Sequence, residues 1–303
     1  MYKRVLVTTE EANRSEIQLS KGVALTDPEG HTEWFMSVYH PAFESAISDD
    51  PATAAEARQL YARHRQNQAD RRLAELAFET DVAADVSWHP SYLTAVIRQA
   101  ERYQPDIMLF PRRQNQDLVE WLVGGDEQDL VRELKGPLLF TAETPWPTHP
   151  RIAVALNPFH LDERDDRLEH ALLQTADRMA QLLSAEMHVV HCFQSLPRTA
   201  IFDEQLVTDY TSLQARVGEE HRQRIEALLA SIDRPIGGPM LQLIEGDVQS
   251  ELPKFVEQQR IDILLLGTTE HSLLERLLIG STTERLLSRI SCDVLVLHDI
   301  EGG

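Results

Sequence analysis

The sequence lacks the marks of several protein classes. It has only two cysteines, Cys192 and Cys292, which are too few for a disulfide framework, and both lie in apolar runs where a buried free thiol is the commoner state. Its apolar runs fall far short of the roughly 20 residues that cross a bilayer. Its first residues also lack the apolar segment of a secretory signal. These features predict a cytoplasmic protein with no membrane partner.

Basic residues are also scarce. The chain has 29 Lys and Arg against 49 Asp and Glu, which gives a formal net charge of −20. Proteins that bind nucleic acid neutralise its phosphates with Lys and Arg, and this sequence contains no basic arm or stripe. The composition therefore argues against a nucleic-acid partner and indicates an acidic, soluble chain.

What the sequence does contain is one pattern repeated. Apolar runs and 3.6-residue periodicity predict five strands alternating with four helices in each half. In the first half we expect strands at 3–9, 33–40, 82–88, 106–110 and 137–141, with helices at 14–25, 52–78, 92–102 and 127–134. In the second half we expect strands at 151–156, 187–193, 240–244, 261–266 and 293–297, with helices at 167–183, 203–229, 250–259 and 281–289.

Identical residues support a duplication. At an offset of 156 residues, Asp106 falls on Asp262 and Gly124 falls on Gly280, within the same order of predicted elements. Three prolines between residues 143 and 150 interrupt both helix and strand. We therefore predict two tandem domains, at residues 1–146 and 147–303.

The alternation of strands and helices also predicts the fold class. Short connections between such elements give right-handed crossovers, hence a parallel sheet with helices on both faces. Each domain is therefore expected to be an α/β unit with a five-stranded parallel sheet. Ligands of such sheets bind beyond the carboxyl ends of the strands, where the winding direction reverses. We expect the chemistry at the ends of the first and fourth strands of each half.

The most informative motif follows the fourth predicted strand of the second half. Gly267 and Glu270 stand three residues apart, and nine residues later come Gly280 and Ser281. This spacing resembles the G-x-x-G-(nine)-G-[ST] signature of the universal stress protein family. Because the duplication covers nearly the whole chain, the sequence resembles the tandem, E-type members of that family. The resemblance implies Rossmann-like domains and a role in the response to stress.

The resemblance also implies a nucleotide site in the second domain. Nucleotide-binding members hold ATP or another adenine nucleotide such as AMP along this loop, and any metal would be the Mg²⁺ that accompanies the nucleotide. Glycine amides and a helix N-terminus suit phosphate. The positions carried over from the family, for the nucleoside, for backbone approach, and for the ribose and phosphates, are Asn157, Gly246, Gly267, Glu270, Gly280, Ser281 and Thr282.

Two of these positions depart from the family pattern. Glu270 replaces the second glycine and brings a side chain with a negative charge to the phosphate path, and Asn157 replaces an aspartate. Ser281 and Glu284 also form a capping box, which would explain both residues without a ligand. In the first domain Pro111 stands where Gly267 stands in the second, so a backbone donor is lost. We predict no nucleotide in the first domain.

The sequence shows no catalytic apparatus. His188 and His191 lie three apart in a predicted strand, so they point to opposite faces and cannot converge on a metal. Metalloprotease, serine hydrolase and Walker lysine motifs are missing. We predict a binding and signalling module with an unknown protein partner, either a monomer with an internal pseudo-dimer or a homodimer. A nucleotide-independent adaptor with a decayed site and a weak nucleotide hydrolase stay open as alternatives.

The net charge of −20 generates a prediction of its own. If the acidic surface is an adaptation to salt, KCl should screen its self-repulsion, and the melting temperature should rise steeply with KCl concentration. Thermal unfolding followed by circular dichroism across a KCl series measures this rise. A flat response would assign the composition to genome bias instead.

Overall fold

The computed structural model describes residues 2–9, 15–47, 50–112, 134, 136–159, 163–194, 210–232, 240–268 and 290–298. These residues form two compact units, which divide between Trp146 and Pro147. No helix within the described ranges is long and apolar enough to cross a membrane.

The first unit is a five-stranded parallel sheet with helices. Its strands run in the order β3-β2-β1-β4-β5. In chain order its elements are β1 (Tyr2–Thr9), α1 (Glu16–Leu25), β2 (Thr26–Val38), α2 (Pro41–Ala46), α3 (Pro51–Leu76), β3 (Asp81–Trp88), α4 (Tyr92–Tyr103), β4 (Ile107–Pro111) and β5 (Leu138–Thr141).

The second unit repeats this plan. Its strands are also parallel and run in the order β10-β9-β6-β7-β8. Its elements are β6 (Arg151–Ala155), α5 (Glu163–Leu182), β7 (Glu186–Phe193), α6 (Tyr210–Leu229), β8 (Leu241–Glu245), α7 (Val248–Gln259), β9 (Ile263–Thr268) and β10 (Asp293–His298).

Side-chain alternation places helices on both faces of each sheet. In the first unit a β-carbon at Gly22 of α1 would overlap Val7 of β1, whereas Gln99 of α4 bonds Glu33. Val7 and Glu33 lie on opposite faces, because the strand register pairs Val7 with Trp34, the next residue after Glu33. In the second unit, by the same alternation, α5 packs on the face of Gly267 and α7 on the face of His188.

The fold class predicted from the sequence is confirmed, because each unit is an α/β structure with five parallel strands. The element boundaries differ mostly by a few residues. The largest difference is β2, which begins at Thr26 rather than at the expected residue 33, because Thr26 already pairs with Tyr2 before a register shift. The predicted helix 281–289, the helix 127–134 except its last residue, and the start of the one at 203–229 lie outside the described residues.

The same pair of hydrogen bonds occurs in both units. The amide of Asp106 donates to Arg4 O at 2.8 Å, and an Asp106 carboxylate oxygen accepts from the Arg4 amide at 3.0 Å. Asp262 and Arg151 exchange the same two bonds, both at 2.8 Å. This pair of bonds ties the fourth strand to the first and makes Arg4 and Arg151 equivalent positions. The two units therefore share local detail as well as strand order.

A glutamine side chain covers the edge strand of the first sheet. Gln66 of α3 donates from Nε2 to Ala84 O at 2.9 Å and accepts at Oε1 from the Val86 amide at 3.0 Å. Its amide group thus bonds β3 as a neighbouring strand would. Exposed strand edges recruit other chains, so Gln66 both anchors α3 and blocks this edge.

We expect Gln66→Ala to loosen β3. The variant leaves the Val86 amide and the Ala84 carbonyl without their side-chain partner, at a cost of about 1 to 3 kcal/mol in the local opening free energy. Hydrogen exchange at the Val86 amide measures this cost. Gln68→Ala is the matched control, because Gln68 is exposed on the same helix and bonds only neighbouring side chains of α3. Equal exchange rates in the two variants would contradict the assignment.

Candidate functional site

A cavity of about 550 Å³ opens at the carboxyl ends of β6, β7 and β8 in the second unit. It lies beyond the carboxyl ends of the strands, as the ligand sites of parallel α/β sheets do, and its volume falls within the range of small-molecule sites. Its lining comes from the ends of the first three strands of the unit, so the fourth strand, β9, does not line it as the sequence led us to expect. Three strand ends supply its floor. Its lining includes Asn157, Phe159, His191, Phe193, His221 and Gly246.

Aromatic rings form one wall of the cavity. The imidazole of His221, on α6, lies 4.1 Å from the ring centre of Phe159 and 4.7 Å from that of Phe193. The guanidinium of Arg224, one turn further along α6, lies over Phe159 at 4.3 Å. The His221 ring is tilted by 46° against Phe159 and by 31° against Phe193, and together the rings give an aromatic surface that a planar ligand can contact.

A hydrogen bond joins His221 of this wall to a second histidine, His191. His191 Nδ1 lies 2.8 Å from Leu156 O, and His191 Nε2 lies 2.6 Å from His221 Nδ1. A carbonyl oxygen can only accept, so the hydrogen of a neutral His191 is on Nδ1 and its Nε2 is an acceptor. His221 must then donate from Nδ1. One backbone oxygen thus sets the tautomer of both rings.

Burial sets the charge of these groups. The pKa of His191 is lowered to about 4, mainly by burial; the bond to Leu156 O opposes this shift, and the His221 ring close by adds to it. Burial also lowers the pKa of His221. Both rings are therefore neutral at pH 7. Burial raises the pKa of the Cys192 thiol to about 12, helped by Glu251 and Asp247, so this cysteine is protonated and a poor nucleophile.

The structure brings two of the predicted site residues together in the cavity. Asn157 follows β6 and accepts at Oδ1 from the Phe159 amide at 3.4 Å, which turns the chain back over the strand ends. Gly246 follows β8 with φ +144°, and a β-carbon there would lie 2.7 Å from Glu251 Cγ. Both the backbone angle and the packing require glycine at this position.

Gly267, a third predicted site residue, does not line the cavity. Gly267 is buried in β9, and a β-carbon there would lie 2.8 Å from both Leu168 and Leu172 of α5. Glycine at this position thus lets α5 pack closely on the sheet. Outside the described residues lie Glu270, Gly280, Ser281 and Thr282.

The sequence patterns did not indicate that two histidines would pair. His188 and His191 do point to opposite faces, His188 towards Phe255 on α7 and His191 towards α6. The partner of His191 is His221, thirty residues further along the chain. No local pattern links the two positions. Over the described part of the chain, no group of three or more His, Cys, Asp or Glu side chains could hold a metal ion.

Comparison with known proteins gives consistent results. The model of the universal stress protein family matches residues 160–298. The Universal stress protein E homolog of Haemophilus influenzae is 22% identical, over 97% of this chain and 96% of that protein. A universal stress protein from Archaeoglobus fulgidus superposes with a TM-score of 0.58 at 13% identity, covering 98% of this chain and 97% of that one. The cytoplasmic domain of a prokaryotic cation chloride cotransporter has a TM-score of 0.51 at 10% identity, covering 100% and 98%.

The pKa of His191 predicts that acid destabilises the second unit. The pKa is lower in the folded chain than the ordinary 6.5, so the unfolded chain binds more protons between these values and stability falls as the pH drops from 6.5 towards 4. The loss from this one group is about 3 kcal/mol in unfolding free energy. Urea unfolding at a series of pH values measures it.

His191→Asn should reduce this pH dependence, and the lowered pKa values of His188 and His221 should keep the rest of it. Asparagine does not titrate, yet its amide can still donate to Leu156 O. His64→Asn is the control, because His64 is exposed on α3, and it should keep the wild-type slope. If His191→Asn also kept that slope, burial of His191 would not be the cause of the acid sensitivity.

Proposed function

We propose that the second unit, most of which the model of the universal stress protein family matches, binds ATP or another adenine nucleotide such as AMP. The observation that carries the proposal is the cavity at the ends of β6, β7 and β8, with its aromatic wall. The nucleotide state would then control a stress-response binding and signalling module.

The cavity fits the base and ribose better than the phosphates. Phe159, Phe193 and His221 offer ring faces for a purine, and Asn157 offers both a donor and an acceptor to a nucleoside. Asp247 places a carboxylate on the β8 side, which disfavours phosphate there. We therefore assign the phosphates to the predicted loop that runs from Gly267 to Thr282.

Equivalent positions in the first unit carry larger side chains. The Trp34 indole donates to Thr9 Oγ1 at 2.8 Å, and the Tyr92 hydroxyl donates to Thr8 Oγ1 at 2.7 Å. In the second unit the strand registers put Val189 in the place of Trp34, and Val248 opens α7 as Tyr92 opens α4. The Trp34 and Tyr92 side chains thus occupy the carboxyl end of β1, which supports one nucleotide site per chain.

We propose binding without turnover. Among the described cavity residues, Cys192 is protonated, and the two neutral histidines bond each other rather than an acid or a nucleophile. General-base catalysis needs a base within hydrogen-bond reach of the group it activates. These side chains are instead arranged to hold a ligand in a fixed orientation.

Calorimetry with ATP and AMP tests the proposal. We expect one site per chain with micromolar affinity, and we expect Gly280→Asp to abolish binding because a carboxylate would repel phosphate from the loop. The matched control is Gly124→Asp, which makes the same change at the equivalent position of the first half and should leave binding unchanged.

The other outcomes separate the alternatives. A protein that gives no binding heat with either nucleotide would be the nucleotide-independent adaptor. Phosphate release from ATP that persists through purification and is lost in Gly280→Asp would identify a weak hydrolase and would contradict binding without turnover. Loss of binding in the Gly124→Asp control would move the site to the first unit.

A further inference from the structure

The hydrogen bonds behind the aromatic wall leave one polar atom available to a ligand. His221 Nδ1 donates to His191 Nε2, whose ring is oriented in turn by Leu156 O. A neutral His221 must therefore carry a lone pair at Nε2. This nitrogen bonds no residue of the described chain, and the ring that carries it lines the cavity.

We infer that His221 Nε2 recognises the base by accepting a hydrogen bond from an amino group on a planar heteroaromatic ring. The inference rests on the proposed function and adds to it the residue that selects the base. An acceptor of fixed tautomer favours a ligand that donates at that point, because a base without a donor would leave the nitrogen desolvated and unpaired. The Phe159 and Phe193 rings beside His221 provide surfaces on which such a ring can stack.

The same atom changes its role in acid. A proton added at His221 Nε2 leaves the Nδ1 donor and its bond to His191 intact, so the first protonation needs no rearrangement. It turns a neutral acceptor into a cationic donor. A second proton, on His191 Nε2, would place two donors 2.6 Å apart and break the pair. His221 alone therefore switches first, and its preference for an amino group is lost.

The charged groups around the pair set where this switch occurs. Glu220 favours the His221 cation, whereas Arg224 on the same helix opposes it. Across the cavity, Asp247 at the start of α7 lines the pocket, and Cys192 of β7 stays uncharged. Burial is the largest influence on His221 and holds its pKa below the ordinary value. The switch is therefore expected on the acid side of pH 6.5.

Nitrogen-15 NMR of histidine-labelled full-length protein tests the tautomers without a ligand. At pH 8 we expect a hydrogen on Nδ1 and none on Nε2 for both His191 and His221. On acidification His221 should gain a hydrogen at Nε2 before His191 does. A hydrogen on His221 Nε2 at pH 8 would overturn the inference.

Binding of ATP and of purine riboside triphosphate tests the selection. The two ligands differ only in the amino group, so their affinity ratio cancels any protonation of the triphosphate. We expect ATP to bind about tenfold more tightly at pH 8, as one hydrogen bond contributes, and we expect the ratio to be smaller at pH 5.5. His221→Phe keeps a ring in the wall and should give a ratio near one at both pH values.

His64→Phe, on the exposed face of α3, is the matched control and should behave as the wild type. A wild-type ratio near one at pH 8 would overturn the inference and leave the proposed nucleotide site standing. Failure of both triphosphates to bind at either pH would overturn the proposed function together with the inference. An unchanged ratio in a folded His221→Phe protein would assign recognition of the amino group to another residue.

Discussion

The parallel register of β6, β7 and β8 is the constraint on which the site depends. Pairing of Val154 with Val189, and of His191 with Leu243, brings three strand ends to one edge of the sheet. At the other end of the strands, the two bonds between Asp262 and Arg151 tie β9 to β6. A slip of one residue would turn His191 to the α7 face, and the contact with His221 would be lost. The chemistry of the cavity thus rests on backbone pairing more than on any loop.

Burying His191 carries a cost that the arrangement partly offsets. A desolvated imidazole is stable only when neutral and hydrogen-bonded, and Leu156 O and His221 supply its two partners. His188, buried on the opposite face, makes no hydrogen bond through either ring nitrogen to the part of the chain that the structure describes, although its Nε2 lies 3.4 Å from Glu186 Oε1. The satisfied histidine is the one that lines the cavity. That contrast favours a role for the His191–His221 pair beyond packing.

Periodicity and spacing predicted the fold more completely than the site. The alternation of strands and helices was enough to predict two units with five parallel strands each, because each strand and helix has its own local hydrophobic pattern. Asn157 and Gly246 could be placed because each follows directly on a strand, and strand ends converge in parallel sheets. His221 could not be placed from the sequence, since it reaches His191 from a helix that packs on the sheet face. Gly267 shows a further limit: a motif glycine can equally be required by the packing of a helix.

The two units share one fold but differ in the side chains at the ends of their first strands. Thr9 of the first unit and Leu156 of the second occupy equivalent positions. The strand registers likewise make Trp34 and Val189 equivalent. In the first unit the Thr9 hydroxyl accepts from the Trp34 indole, so two side chains satisfy each other at the end of β1. In the second unit leucine offers only its backbone oxygen, which accepts the hydrogen bond from His191. The side chains at the end of the first strand therefore satisfy one another in the first unit, whereas in the second unit a backbone oxygen bonds a residue that lines the cavity.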